Sequence, residues 1–172
     1  MVLVDMRRIG RAVIFVALFF CTTGFDQASK DWANHSLTPG VREPVVDGYW
    51  DWELAYNPGV AFSTFASFAG STGMRVLLLL IAVAALVGIS VLALRAAPEQ
   101  RLKRVAYALV AGGALGNLID RLRDGAVTDF VRWRIHDHRW PIFNLADAAL
   151  LIGVVLLLLD GLRARRRAPA VD

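Results

Sequence analysis

Asparagine and aspartate stand three residues apart at two places in this chain, Asn117-Leu118-Ile119-Asp120 and Asn144-Leu145-Ala146-Asp147. Residues at that spacing share one face of a helix, so each pairing presents an amide and an acid together. A third acid, Asp129, lies in the segment that joins them. Both pairings sit at the rims of apolar stretches, where an ionisable group is costly and usually functional. Neither stretch contains cysteine or histidine. The chemistry on offer is therefore acid–base chemistry at a membrane surface. Residue types alone leave Asp120, Asp124 and Asp129 as alternative partners for Asp147. Asp120 precedes Arg121, which predicts a structural ion pair or helix-end contact, and Asp124-Gly125 reads as a turn.

The elements that must position these groups are strongly apolar. Of 172 residues, 56% are hydrophobic, too many for an ordinary soluble domain. Four stretches are expected to cross a membrane, at about residues 12–25, 76–94, 105–119 and 142–159. Only the second is long and uncharged enough to span about 30 Å of hydrocarbon unaided. The others need polar ends, snorkelling arginines or a locally thinned bilayer. Arg7, Arg8 and Arg11 precede the first stretch. Arg95, Arg101, Lys103 and Arg104 separate the second and third, and Arg163, Arg165, Arg166 and Arg167 follow the fourth. By the positive-inside rule both termini are cytoplasmic, with outer segments at 26–73 and 120–141. Five arginines between Arg121 and Arg139 break that pattern. The net charge of +4 is thus chiefly a topology signal, and nucleic-acid binding is not expected.

The basic, apolar start also resembles a secretory or lipoprotein leader, but bulky Leu18-Phe19-Phe20 before Cys21 does not suit processing. An uncleaved first helix is expected, with Cys21 an ordinary buried thiol. One cysteine allows no internal disulfide. In the first outer segment, Trp50, Trp52, Leu54 and Tyr56 alternate with Asp51 and Glu53, which predicts a strand flanked by turns at Pro39-Gly40 and Asp47-Gly48. Phe62, Phe65 and Phe68 suit a short helix lying in the interface. In the second, Val131, Trp133 and Ile135 alternate with Arg132 and Arg134, a further strand for a small sheet. His136-Asp137-His138 lacks a third convergent ligand, so no metal is expected there. Gly112 and Gly116 form a Gly-x-x-x-Gly pair that permits close helix approach, expected to draw Asn117 and Asp120 toward the fourth helix.

Five blocks together resemble the bacterial lipoprotein signal peptidase (signal peptidase II) family. They are Asp26-Gln27-Ala28-Ser29-Lys30, the run from Asn57 to Ser63, the run from Gly112 to Arg121, Val127-Thr128-Asp129-Phe130 and Phe143-Asn144-Leu145-Ala146-Asp147. Their order and the four-stretch layout extend the resemblance over nearly the whole chain. It implies an aspartic endopeptidase of the bacterial cytoplasmic (inner) membrane, with Asp129 and Asp147 as the catalytic pair. Asp26, Lys30, Asn57, Gly59, Asn117, Asp120, Arg121 and Asn144 fall on substrate-binding or supporting positions. It further implies no metal or cofactor. Its substrates are diacylglyceryl-modified prolipoproteins, cut on the amino side of the lipidated cysteine near the outer membrane face. Thr128 departs from the apolar residue common in the family, without disturbing the backbone path.

The expected fold is an all-α membrane protein, one domain over residues 1–172. It has four transmembrane helices, a small extracytoplasmic β-sheet element and a short interfacial helix. Membrane lipids are expected partners, and the working unit is expected to be a monomer. Two other readings make different predictions. A divalent-metal site of Asp120, Asp129 and Asp147 would serve lipid-phosphate chemistry and be chelator-sensitive. A proton-coupled carrier or scaffold would tolerate Asp→Asn changes without loss of proteolysis.

Overall fold

The computed structural model describes residues 6–59, 72–97, 100–135 and 138–167. Four helices and a four-stranded sheet alternate along it. They run in the order α1 (Met6–Ser36), β1 (Arg42–Val46), β2 (Trp50–Asn57), α2 (Thr72–Arg95), α3 (Arg101–Arg123), β3 (Val127–Ile135), β4 (His138–Arg139) and α4 (Leu145–Arg167). The expected interfacial helix at Phe62, Phe65 and Phe68, and His136-Asp137, lie outside the described residues.

Helices α1, α2 and α3 extend beyond their expected apolar stretches at both ends, whereas α4 begins three residues inside its stretch and runs past its end. The largest difference is α1, which continues from Phe25 to Ser36, so Asp26 and Lys30 sit on a helix rather than in a loop. Its polar residues do not end it because they turn inward: Asp26 and Lys30 are one turn apart and essentially unexposed. Two helical segments, Ala12–Ser36 and Leu145–Arg163, are long and apolar enough to cross a membrane, and Leu79–Arg95 is a shorter apolar helix. Large apolar side chains such as Phe20, Leu80, Leu151 and Leu158 point outward, the arrangement expected where hydrocarbon replaces water. Cys21, expected to be buried, is exposed on α1 among them. A side chain on the helix's outer surface has no protein partner to cover it.

Helix α3 packs against the other three helices. Glycines set the spacing. A Cβ on Gly112 would lie 2.7 Å from Thr22 Cβ and 2.8 Å from the Phe19 carbonyl oxygen, and one on Gly116 would collide with the Asp26 carboxylate. The Gly-x-x-x-Gly pair therefore serves the α1 contact, not the α4 contact expected from sequence. Toward α4 the close approach uses Gly113, whose Cβ would meet the Ala146 carbonyl oxygen at 2.5 Å, and Gly153, which faces Val110 and Ala106.

The sheet is antiparallel in the order β1-β2-β3-β4 and contains both strands expected from alternation. A turn at Asp47-Gly48, where Gly48 takes φ 81°, joins β1 to β2. Leu54, Phe130 and Val131 pack on Ala33 of α1 and on Leu37 just beyond its end, with Trp50, Trp52 and Phe143 around them. The other face is ionic. Arg134 Nη2 donates to Asp51 Oδ1 at 3.2 Å, and Arg132 Nη2 donates to Glu53 Oε1 at 2.8 Å. Two of the arginines that broke the charge pattern are thereby neutralised by acids of the first outer segment.

Candidate active site

Three helices converge here: the C-terminal halves of α1 and α3 and the first turn of α4. The structural centre is Lys30, 1% exposed, whose ammonium has three N–H donors and meets three acceptors. They are Asp26 Oδ2 at 2.7 Å, Asp120 Oδ2 at 2.9 Å and Asn117 Oδ1 at 2.9 Å. Asp120 also accepts from Gln27 Nε2 at 2.8 Å and from the Thr128 backbone N–H at 3.1 Å. Its partner is thus Lys30 of another helix rather than its neighbour Arg121. A buried cation shared by two carboxylates ties α1 to α3, while the Thr128 contact ties α3 to β3. The side chain of Thr128, the departure noted in sequence, is 3.5 Å from Asn34 Nδ2 and does not disturb the strand.

The start of α4 is fixed by reciprocal capping. Asn144 precedes the helix and its Oδ1 accepts from the Asp147 N–H at 2.9 Å, while Asp147 Oδ2 accepts from the Asn144 N–H at 3.3 Å. This is the geometry of a capping box, with asparagine and aspartate in the two roles. The Ala146 N–H, another otherwise unpaired donor of that turn, is bound by Asp26 Oδ1 at 2.9 Å. Strand β3 delivers Asp129 beside this helix end. Phe143 bridges to Val131 through N–H and carbonyl bonds of 3.0 and 2.9 Å, which carries Asn144 to the strand.

Asp129 is buried, 3% exposed, and both its oxygens accept amide hydrogen bonds. Asn144 Nδ2 reaches Oδ1 at 2.7 Å and Asn57 Nδ2 reaches Oδ2 at 3.1 Å. Asn57 can reach because Ala55 pairs with Asp129, placing Asn57 diagonally across the same ladder. Asp147 is half-buried, and its Oδ1 accepts from Asn117 Nδ2 at 2.8 Å. Three asparagines follow one rule. Each has its carbonyl oxygen pinned by a donor: the Gly59 N–H for Asn57, Lys30 for Asn117 and the Asp147 N–H for Asn144. That fixes each NH₂ group toward a carboxylate. Gly59 has φ 87°, the left-handed backbone that lets its N–H turn back on Asn57.

Burial, and next the negative charge of Asp147, push the Asp129 carboxyl up from 3.8 to about 6, against the opposing hydrogen bonds of Asn57 and Asn144. The two carboxylates therefore sense one another electrostatically. Arg121 is half-buried nearby, where Nη1 donates to the Asn117 carbonyl at 3.2 Å while Nε is buried with no protein acceptor. Asp124 stays outside, exposed and paired with Arg123 at 2.8 Å. Asp120, the remaining member of the alternative metal set, spends its oxygens on Lys30, Gln27 and Thr128. Among the described residues no group of three or more His, Cys, Asp or Glu is arranged to hold a metal ion.

All ten residues singled out from sequence thus lie in or against one hydrogen-bonded assembly. Missed as participants were Gln27, which also donates to the Gly116 carbonyl at 3.1 Å, and the backbone N–H groups of Thr128 and Ala146. Gln27 had a detectable sign in its place beside Asp26. The backbone donors had none.

Fold and site together define an apolar helical protein that carries a buried carboxylate and a half-buried one within a shared amide network at one end. The pattern described as signal peptidase (SPase) II matches residues 18–163, and the chain belongs to that family. It is 43% identical over 163 residues to a lipoprotein signal peptidase of Xanthomonas campestris pv. campestris (strain 8004), covering 90% of this chain and 94% of the relative. It is 38% identical over 145 residues to a lipoprotein signal peptidase of Xylella fastidiosa (strain 9a5c), covering 84% and 85%. A solved structure described as a bacterial membrane enzyme superposes with TM-score 0.79 at 26% identity, over 92% of this chain and 93% of that one. A second with the same description gives TM-score 0.76 at 27% identity, over 86% and 91%. The chain is accordingly a peptidase of a membrane-enzyme family, and the membership supports cleavage of lipoprotein signal peptides.

Proposed function

We propose that Asp129 and Asp147 form the catalytic pair of an aspartic endopeptidase, which cuts prolipoproteins on the amino side of a diacylglyceryl-modified cysteine. The observation that carries this is Asn144, whose side-chain amide binds Asp129 while its backbone N–H binds Asp147. Two coupled carboxylates resist simultaneous ionisation, so the pair holds one proton between them and titrates as a unit. The ionised member takes a proton from water as its oxygen attacks the scissile carbonyl carbon. The protonated member hydrogen-bonds the carbonyl oxygen, whose negative charge grows in the tetrahedral intermediate. Collapse of that intermediate breaks the C–N bond, with a proton passing to the leaving nitrogen. No covalent acyl-enzyme forms. Asn57, Asn117 and Asn144 orient the acids. Asp26, Lys30 and Asp120 hold the helices that carry them, and Arg121 offers free donor capacity to substrate backbone or lipid.

In this reading all four helices cross the bacterial cytoplasmic membrane in one domain, with both termini cytoplasmic and the site at the outer face. The alternation of helix direction supports it. The basic clusters at the start of α1, from the end of α2 into the start of α3 and at the end of α4 share the end opposite the carboxylates. A lipidated cysteine anchored at the outer interface presents its scissile bond at that depth. One copy supplies every group of the site, which favours a monomer as the working unit.

The test is incubation of purified enzyme with diacylglyceryl-modified and unmodified precursor, with and without chelator. Cleavage is expected only of the lipidated precursor and in both buffers. Asp129→Asn and Asp147→Asn are each expected to lose at least about 10²-fold in rate while remaining folded. Near-normal cleavage by either variant overturns the pair.

A further inference from the structure

The last turn of α1 carries a fourth asparagine beside the site, one without a part in the hydrolysis itself. Asn34 stands four residues beyond Lys30, which stands four beyond Asp26, so the three form one polar stripe along the helix. Asp26 and Lys30 meet α3 and α4, and Asn34 meets the sheet. Its Oδ1 accepts from the Tyr56 hydroxyl at 3.1 Å, and its Nδ2 donates to Thr128 Oγ1 at 3.5 Å. Tyr56 and Thr128 are directly opposed in the β2–β3 ladder. A single amide thus bridges both members of one cross-strand pair from the α1 side. Its polarity is set as it is for Asn57, Asn117 and Asn144: a donor occupies the oxygen, which leaves the NH₂ to aim at its target.

That target is 2% exposed, and a buried hydroxyl without a partner is costly. An apolar residue at position 128 would make no such demand. Thr128 is also the residue before Asp129. Its backbone N–H is held by Asp120 at 3.1 Å, and its carbonyl oxygen accepts from Asn144 Nδ2 at 3.3 Å. Successive side chains of a strand leave opposite faces. Thr128 and Tyr56 therefore turn to α1, while Asp129 and Asn57 turn the other way together. Fixing the Tyr56–Thr128 pair against α1 fixes the point from which Asp129 projects. We propose that Asn34, braced by Tyr56, is a positioning residue of the peptidase, which through Thr128 holds β3 where Asp129 faces Asp147. The inference rests on the catalytic pair assigned under Proposed function. Asn34 itself meets neither acid, so its loss should slow turnover without weakening substrate binding.

Purified full-length parent, Asn34→Ala and Tyr56→Phe are compared for kcat and KM on one diacylglyceryl-modified precursor, with Asp129→Asn as a control. Alanine is a good helix former, so Asn34→Ala is expected to stay folded. Its kcat should fall about tenfold at unchanged KM, within the roughly 10²-fold that a 1 Å misplacement can cost. Tyr56→Phe leaves the amide free to turn over and should lower kcat by a smaller factor, again at unchanged KM. In a Thr128→Val background no hydroxyl remains for the amide to meet, and adding Asn34→Ala should change kcat less than about twofold. Parent-like kcat in either single variant, a loss carried by KM, or an equal loss in both backgrounds overturns the proposal. Failure of the underlying reading looks different, because Asp129→Asn would then still cleave. Parent-like Asn34→Ala beside an inactive Asp129→Asn would refute the positioning role alone.

Discussion

Replacing Asp147 tests whether the two carboxylates form a chemical unit. Asp129 is lifted from 3.8 to about 6, a differential of about 3 kcal/mol between its protonation states. Burial is the largest contributor and the charge of Asp147 the next, so removal of that charge should return part of the displacement. In Asp147→Asn and Asp147→Ala the Asp129 midpoint is expected to fall below 6 yet remain above 3.8, because the strand still buries it. The alanine variant matters because an asparagine at 147 would set its own NH₂ against the donors from Asn117 and Asn144. Carboxyl ¹³C shifts of aspartate-labelled protein, followed against pH, report the midpoint, with Asp129→Asn identifying the resonance. The sign for stability follows from the same shift. The unfolded chain releases this proton near pH 3.8 and the folded protein near 6, so the contribution is complete below 3.8, declines as pH rises, and is gone above 6. An Asp129 midpoint unmoved by both substitutions would show that the groups do not interact, and the shared-proton mechanism would fail.

Lys30→Met leaves two buried carboxylates without their cation and is expected to cost about 3–5 kcal/mol in thermal unfolding. Lys30→Arg should recover little of this, since a planar fork does not place three donors from one atom on three converging acceptors. Gly113→Ala is expected to destabilise by about 1–3 kcal/mol through its clash with the Ala146 carbonyl. Gly24→Ala, with nothing within 4 Å of the added methyl, should stabilise by about 0.5–1 kcal/mol. Asn144→Ser keeps a competent helix cap but removes the buried amide donor to Asp129, Asn117 and the Thr128 carbonyl, and should cost about 1–3 kcal/mol, with Asn144→Ala losing about 1 kcal/mol more. Both should lose cleavage, because both remove the amide donor to Asp129, and equal activity in Asn144→Ser and the parent would refute that role.

The helices were legible as long apolar stretches, and two of the four strands as local alternation. Trp50 to Tyr56 and Val131 to Ile135 alternate, and the strands formed where alternation placed them. The end of α1 was not legible. Hydropathy falls at Asp26, and only the contacts of Asp26 and Lys30 with α3 and α4 explain why the helix continues. The same limit applies to Asp120. Sequence offers Arg121 beside it, but the partner is Lys30, 90 positions away, supplied by packing that Gly112 and Gly116 allow. Asp129 and Asp120 look alike as letters. They differ in what surrounds them: Asp120 meets a cation, and Asp129 meets amides and another acid.

That difference bears directly on the chemistry. A carboxylate held by a neighbouring cation gains charge-assisted bonds roughly twice as strong as neutral ones, which suits it to tying helices together. Amides restrain position with less bias toward the charged form, so Asp129 can be fixed by Asn57 and Asn144 and still be held up to about 6. Lys30 nevertheless acts on the pair at one remove, since its third N–H pins the Asn117 oxygen and thereby aims the Asn117 NH₂ at Asp147. The cation orients the donor without touching the acid.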